Sequence, residues 1–349
     1  MTLQNIARAM LLALATSQLP QVYADTLDTP SRISRLAEHN RLSAVTRAGD
    51  TLVAVGPWGR ILLGNAHASQ WRQVPVPVSS DLVAVSFADA EHGWAVGHDG
   101  VVLHSADGGQ SWVKQLDGRQ LGKLLLDYYQ PRVERGEVDA EIMDSVARME
   151  GDGPAIPLLD VSFSDANNGL VVGAFNLALE TRDGGQTWMP LMDRTQNPDG
   201  MHLYALTRAG DELYLAGERG LLRRWNPQTR MFERLPSPYR GTFFGLSARG
   251  STLVAYGLRG NAFSSQDHGQ HWQPIETPGD ASFTASTVLA DGSIVLASQA
   301  GQLLIGSADG SGFKPLRSDK PMPFFGVAVS DQQTLVAVGP YGVRVQPIK

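Results

Sequence analysis

Short apolar runs that alternate with polar residues recur along this chain, separated by turns rich in glycine. Leu82-Val-Ala-Val-Ser-Phe87, Trp94-Ala-Val96 and Val101-Val-Leu103 are examples. A period of two marks half-buried β-strands. The runs group into a longer unit, in which a strand ending in Gly precedes a two-residue turn and a further strand. With that Gly or its equivalent as marker, the unit falls at Gly56, Gly97, Gly173, Gly217, Gly257, Ser298 and Gly339, at spacings of 41, 76, 44, 40, 41 and 41 residues. Short strands repeated at about 40 residues are the pattern of four-stranded propeller blades, so the chain is expected to be an all-β, seven-bladed β-propeller. The long gap is an insertion with a different period. Leu121, Leu124, Leu125, Tyr128 and Tyr129 predict one helix, Arg135-Gly136-Glu137 a turn, and Val138, Ile142, Val146 and Met149 a second helix, all within residues 117–153.

One phrase recurs three times inside the unit: Ser105-Ala-Asp107-Gly-Gly109-Gln-Ser111-Trp112, Thr181-Arg-Asp183-Gly-Gly185-Gln-Thr187-Trp188 and Ser265-Gln-Asp267-His-Gly269-Gln-His271-Trp272. Its order of hydroxyl residue, Asp, Gly and Trp is the Asp-box of bacterial neuraminidase repeats. Asp accepts bonds from backbone N–H groups just ahead of it, Gly supplies a positive φ, and Trp packs the turn on its sheet. Asp107, Asp183 and Asp267, with their Gly and Trp partners, are therefore expected to be structural. Weaker versions span residues 65–71, 226–232 and 307–313. A propeller must close its ring. The last repeat provides three strands, over 324–329, 334–338 and 343–347, and residues 26–36 are expected to supply the missing outer strand.

Composition agrees with one exported β domain over residues 25–349, since 37 Gly and 20 Pro occur in 349 residues and no cysteine is present to form disulfides, act as a thiol or carry a lipid anchor. Arg8, the apolar run 9–15 and Val22-Tyr-Ala24 predict a signal peptide over residues 1–24 with cleavage before Asp25. The expected compartment is the periplasm, with an extracellular location as the alternative.

Propeller topology separates the turns into two faces. Asp-boxes join third to fourth strands on one face. The second-to-third-strand turns, Pro57-Trp58, His98-Asp99, Ala174-Phe175, Glu218-Arg219, Leu258-Arg259, Gln299-Ala300 and Pro340-Tyr341, ring the other, together with the blade-to-blade connections and the helical insertion. Aromatic residues and arginine are favoured at interfaces, so Trp58, Arg219, Arg240, Arg259 and Tyr341 are the candidate partner-binding residues. Between Gly217 and Gly260 eight arginines face only Glu218 and Glu233, whereas residues 117–153 carry five basic against nine acidic side chains. The net charge of −6 and the export signal argue against nucleic acid.

The zinc-protease, nucleophile-elbow, phosphate-loop and EF-hand patterns are absent, so neither a catalytic residue, a metal nor a cofactor is assigned. His268 and His271 sit in one Asp-box turn, and His98 falls at the opposite end of its blade from His92 and His104. Glu180, Glu218 and Asp99 are the acids that would be checked for paired-carboxylate chemistry.

The repeat Val96-Gly97-His-Asp-Gly100 through Trp112, echoed from Val172-Gly173 through Trp188, resembles the photosystem II stability/assembly factor propellers. That resemblance implies a seven-bladed exported scaffold without enzymatic activity, which holds a membrane-protein subunit during complex assembly, partly through arginines. The missing lipidation Cys and the long insertion set this chain apart and admit another membrane complex, such as a transporter, as client. The alternative is a glycan-binding protein or a sialidase-like hydrolase; against it stand seven repeats instead of six and Ser34 where Arg32-Ile33 would need a following Pro.

Overall fold

The computed structural model describes residues 25–318 and 320–348, so the expected signal peptide lies outside the described residues. Among the described residues seven antiparallel sheets follow one another, six with four strands and the last with three. The innermost strands are Ala44–Ala48, Leu82–Phe87, Leu158–Phe163, Leu203–Ala209, Phe243–Arg249, Phe283–Val288 and Gly326–Asp331. Each blade is buried on both faces, and the apolar core is divided into clusters that lie between neighbouring blades. Between blades 2 and 3, Trp94 stacks on Phe163 at 3.4 Å between ring centroids and donates from Nε1 to the Gly184 carbonyl at 3.2 Å.

The marker glycine has a steric cause. In blades 2 to 6 the inner strand carries a β-bulge, which displaces Val83, Leu159, Tyr204, Phe244 and Thr284 from the pairing register. The chain entering the inner strand passes close to the end of the second strand. At Gly97, Gly217 and Gly257 a Cβ would strike the carbonyl oxygen of Asp81, His202 and Thr242 respectively.

The Asp-box turns share one geometry. Ser105 Oγ accepts from Gly109 N at 2.9 Å and donates to Asp107 Oδ1 at 2.8 Å, while Asp107 accepts from Ser111 N at 2.9 Å. Thr181 and Asp183 do the same for Gly185 and Thr187, and Ser265 and Asp267 for Gly269 and His271. Trp112 and Trp272 donate to the carbonyls of Gly109 and Gly269, whereas Trp188 Nε1 is buried without a partner.

Residues 26–36 do not form the expected closing strand. They run between blades 1 and 2, where Ser31 N donates to the Val76 carbonyl and Ser79 N to that of Thr26, and Leu27 is buried in the core. Arg119 and Lys114 hold Asp28, which fixes the segment there. Among the described residues the ring closes by lateral packing: Leu42, Val45, Leu52, Ala54 and Leu62 of blade 1 and the segment leading into it meet Ala328, Val336 and Val338 of blade 7. Leu42 N also donates to the Gly339 carbonyl at 3.0 Å.

The insertion is a helical hairpin, α1 (Gly118–Glu134) and α2 (Ile142–Gly151). Asp117 caps α1 in a capping box with Gln120. Val138 precedes α2 instead of opening it, because the Asp139 carboxylate accepts from Glu141 N and its carbonyl from Ile142 N, which starts the helix later. Leu121, Leu125, Tyr129, Val146 and Met149 bury the hairpin against blades 2 and 3.

Thr181→Val keeps the volume of this buried side chain but removes the acceptor for Gly185 N and Asp183 N and the donor to Asp183 Oδ1. Thermal or urea unfolding should show a loss of roughly 1–2 kcal/mol.

Candidate functional site: the turn face and channel mouth

On the face opposite the Asp-boxes, the turns of blades 2 to 5 are closed by a bond from the fourth residue to the first carbonyl, such as Val101 N to His98 and Asn261 N to Leu258. Both central residues of each turn take positive φ. The first of them is Asp99, Phe175, Arg219 or Arg259, with φ between 51° and 58°, and Trp58 of blade 1 has φ 65°. These are type I′ turns, for which Asn or Gly is the low-strain choice at that position. Bulky side chains there cost conformational energy, so their presence is not explained by turn formation.

Arg219 and Arg259 are exposed on blades 4 and 5, and Arg240 is exposed in the connection between them. Backbone bonds gather the three segments: Gly220 N donates to the Gly241 carbonyl and Leu258 N to that of Thr242. Among the described residues no carboxylate pairs with these three guanidinium groups. The rest of the arginine-rich stretch does not join them. Arg223 is buried and donates to the Thr195 and Gln196 carbonyls, while Arg224 and Arg230 pair with Glu212 and Glu180. Trp58, 67% exposed, and Tyr341, 61% exposed, stand on blades 1 and 7, across the ring from the arginines.

Inside this rim lies a feature that sequence reasoning missed. A cavity of about 380 Å³ at the channel mouth is lined by Arg41, Ser43, Val83, Tyr204, Phe244, Thr284, Gln299 and Phe325. Four of these are bulged residues of inner strands, turned toward the axis by their displacement from register. The signal was present as a recurring step of large apolar residue, variable residue and small residue: Leu203-Tyr204-Ala205, Phe243-Phe244-Gly245, Phe324-Phe325-Gly326. Arg41 lies over the Phe325 ring at 5.4 Å, and an aromatic arc runs outward from Phe244 through Tyr204 and His202 to Phe175. The helical hairpin contributes none of the lining residues.

Deeper in the channel, Asp160 accepts from Val161 N at 2.8 Å and from Leu206 N of blade 4 at 2.7 Å. Burial pushes its carboxyl up to about 7, against those two bonds, which favour the charged form. Glu180 is held by Arg230 and Arg182, Glu218 accepts from His202 N, and Asp99 accepts from Thr26 and Ser80 hydroxyls. These acids are engaged in separate local contacts. His271 lies on Asp267 and His268 on Glu212, both at 2.6 Å, and His104 stacks near His92 while His98 sits at the far end of the blade.

Residues 63–127 and 154–313 match the family described as photosynthesis system II assembly factor YCF48. The chain belongs to the YCF48 family. The unmatched interval between those spans coincides with the end of α1 and the whole of α2. Among curated relatives, the photosystem II assembly lipoprotein Ycf48 of Synechococcus sp. (strain CC9902) is 32% identical over 34% of this chain and 37% of its own length. The Ycf48 assembly protein of Thermosynechococcus vestitus is 23% identical over 60% of this chain and 63% of its own. The chain thus spans less than two thirds of these relatives. A solved structure titled YCF48 bound to D1 peptide aligns with TM-score 0.64 at 17% identity, covering 91% of this chain and 96% of that one. A WD40 propeller domain of Doa1 aligns almost as well, with TM-score 0.63 at 11% identity, so these superpositions speak for the fold alone.

Two outcomes follow for this YCF48-family propeller. Arg219→Asn and Arg259→Asn, which create the preferred Asn-Gly turn pair, should each raise stability by up to about 1 kcal/mol in thermal melts. The Asp160 carboxyl binds its proton more tightly folded than unfolded, so stability should fall as pH rises from about 4 to about 7; Asp160→Asn should flatten that slope, worth on the order of 2 kcal/mol because the channel leaves the group some solvent.

Proposed function

We propose that this protein is an exported, non-enzymatic scaffold that holds an extended segment of a membrane-protein subunit across its turn face while the complex is assembled. The observation that carries this reading is the strained rim. Arginines without carboxylate partners occupy turn positions that Asn or Gly would fill at lower cost, beside a mouth lined with aromatic rings. Aromatic faces and guanidinium groups together suit a peptide with an acidic or carboxylate-bearing end. Arg219, Arg240 and Arg259 form the anionic subsite, Tyr204, Phe244 and Phe325 the apolar one, and Trp58 and Tyr341 a second contact across the ring.

The D1 peptide seen with another YCF48 supports a peptide as the class of ligand. In a phototroph the client is a photosystem II subunit; in another bacterium it is a different envelope complex, a transporter among the candidates. The lipoprotein names of relatives agree with an exported protein, and the periplasm is the proposed compartment.

Cross-linking affinity purification from the native envelope should recover one membrane complex. Reversing charge at both Arg219 and Arg259 to Glu should lower recovery by at least about tenfold, with an unaltered or higher melting temperature. Undiminished recovery would remove the face assignment, and recovery of glycans alone would replace the reading.

A further inference from the structure

The seventh blade, Gly326–Asp331, Thr334–Gly339 and Gly342–Pro347, has no fourth strand among the described residues. Its outer edge is therefore Gly342–Pro347, and the pairing phase of that strand is fixed. Ile348 N donates to the Gln333 carbonyl, and Gly342, Arg344 and Gln346 lie opposite Gly339, Ala337 and Leu335 in the same register. Even-numbered residues direct their backbone groups inward, so Val343 and Val345 direct theirs away from the sheet. The Arg344 side chain donates to the Val343 carbonyl, and Gln346 to that of Pro347. What remains on the edge is two N–H donors, on Val343 and Val345, and the Val345 carbonyl.

The surroundings are not those of a blunted edge. A cavity of about 480 Å³ runs along it, lined by Ser318, Lys320 and residues 343–347. Val345 is 49% exposed. Among the described residues the charged ones that line it are Lys320 and Arg344, both basic, and Arg344 Nε is buried without a hydrogen-bond partner. An open edge with free donors, an apolar side chain and basic flanks recognises one kind of chain: an extended, acidic and apolar segment that adds as a strand.

We propose that the outer edge of the seventh blade is a second binding site, at which an extended acidic-apolar segment of a partner protein pairs with Val345 and completes the blade as its fourth strand. Pairing at Val345 forms two backbone hydrogen bonds, and alternate acidic side chains meet Lys320 and Arg344. The site is distinct from the turn face and does not depend on that reading.

The test uses the whole chain and an acetylated heptapeptide of alternating Glu and Val as probe. Amide hydrogen exchange should slow at Val343 and Val345 by more than about tenfold at saturating peptide. A Lys-Val peptide should not slow it. Val345→Pro removes only an outward-facing donor, which edge strands tolerate, and should abolish binding; Val345→Thr, which keeps the N–H, should retain it. Should the proline variant fail to fold, a peptide N-methylated at alternate residues gives the same answer on the native protein. Binding should persist in the Arg219/Arg259 charge-reversed protein, which separates this site from the turn face. Unchanged exchange, protection of the Val345 amide already present without peptide, or protection that rises with protein concentration alone would each overturn the proposal, the last two by assigning the edge to the chain itself or to a second copy.

Discussion

Every blade of this protein depends on burial of both its faces by its neighbours. An isolated four-stranded sheet of this size would expose residues such as Val53, Val55, Leu215 and Leu296, which the ring hides completely. The apolar clusters lie between blades, so stability is shared around the ring, and no blade holds a core of its own. The Trp94 and Phe163 pair shows the principle: a second strand of one blade supplies half of the contact and the inner strand of the next supplies the rest.

That shared core leaves the two faces free to differ. On one, side chains serve the backbone: hydroxyl and carboxylate groups in the Asp-boxes satisfy N–H donors that the turns expose. On the other, the backbone bears strain to display side chains, since Phe175, Arg219 and Arg259 sit in left-handed conformations that a smaller residue would adopt more easily. Between the faces, the bulges of the inner strands aim a ring of residues at the axis. The marker glycines stand at the end of the second strand, where the chain entering the inner strand passes close by, beside the residues that form the mouth of the channel.

Where the physics is local, the chain was legible. Repeat count, insertion, Asp-boxes and the division of turns all rest on contacts within a few residues. What was hidden depends on register or on distant partners. Tyr204 and Phe244 look like ordinary strand residues until a bulge turns them to the axis, where they meet Phe325. Eight arginines looked like one basic surface, yet burial of Arg223 and the acids facing Arg224 and Arg230 withdraw part of it from the face. Residues 26–36 have a plausible strand length, but Leu27 finds an apolar seat between blades 1 and 2 and Asp28 finds Arg119, and these contacts outweigh pairing with a remote edge. In α2, Asp139 sets the start of the helix where the apolar period alone placed it at Val138.

The seam between the first and seventh blades has a consequence for how such a ring is made. Among the described residues it is held by the same kind of apolar contact as every other seam, and no strand passes from one end of the chain to the other. Among the described residues, therefore, no seam is set apart as the start of the ring. Cutting the chain in another blade-to-blade connection and joining the present ends through a linker would reproduce the same set of interfaces. A ring of this sort can arise by copying one blade and letting the copies meet, without first inventing a clasp.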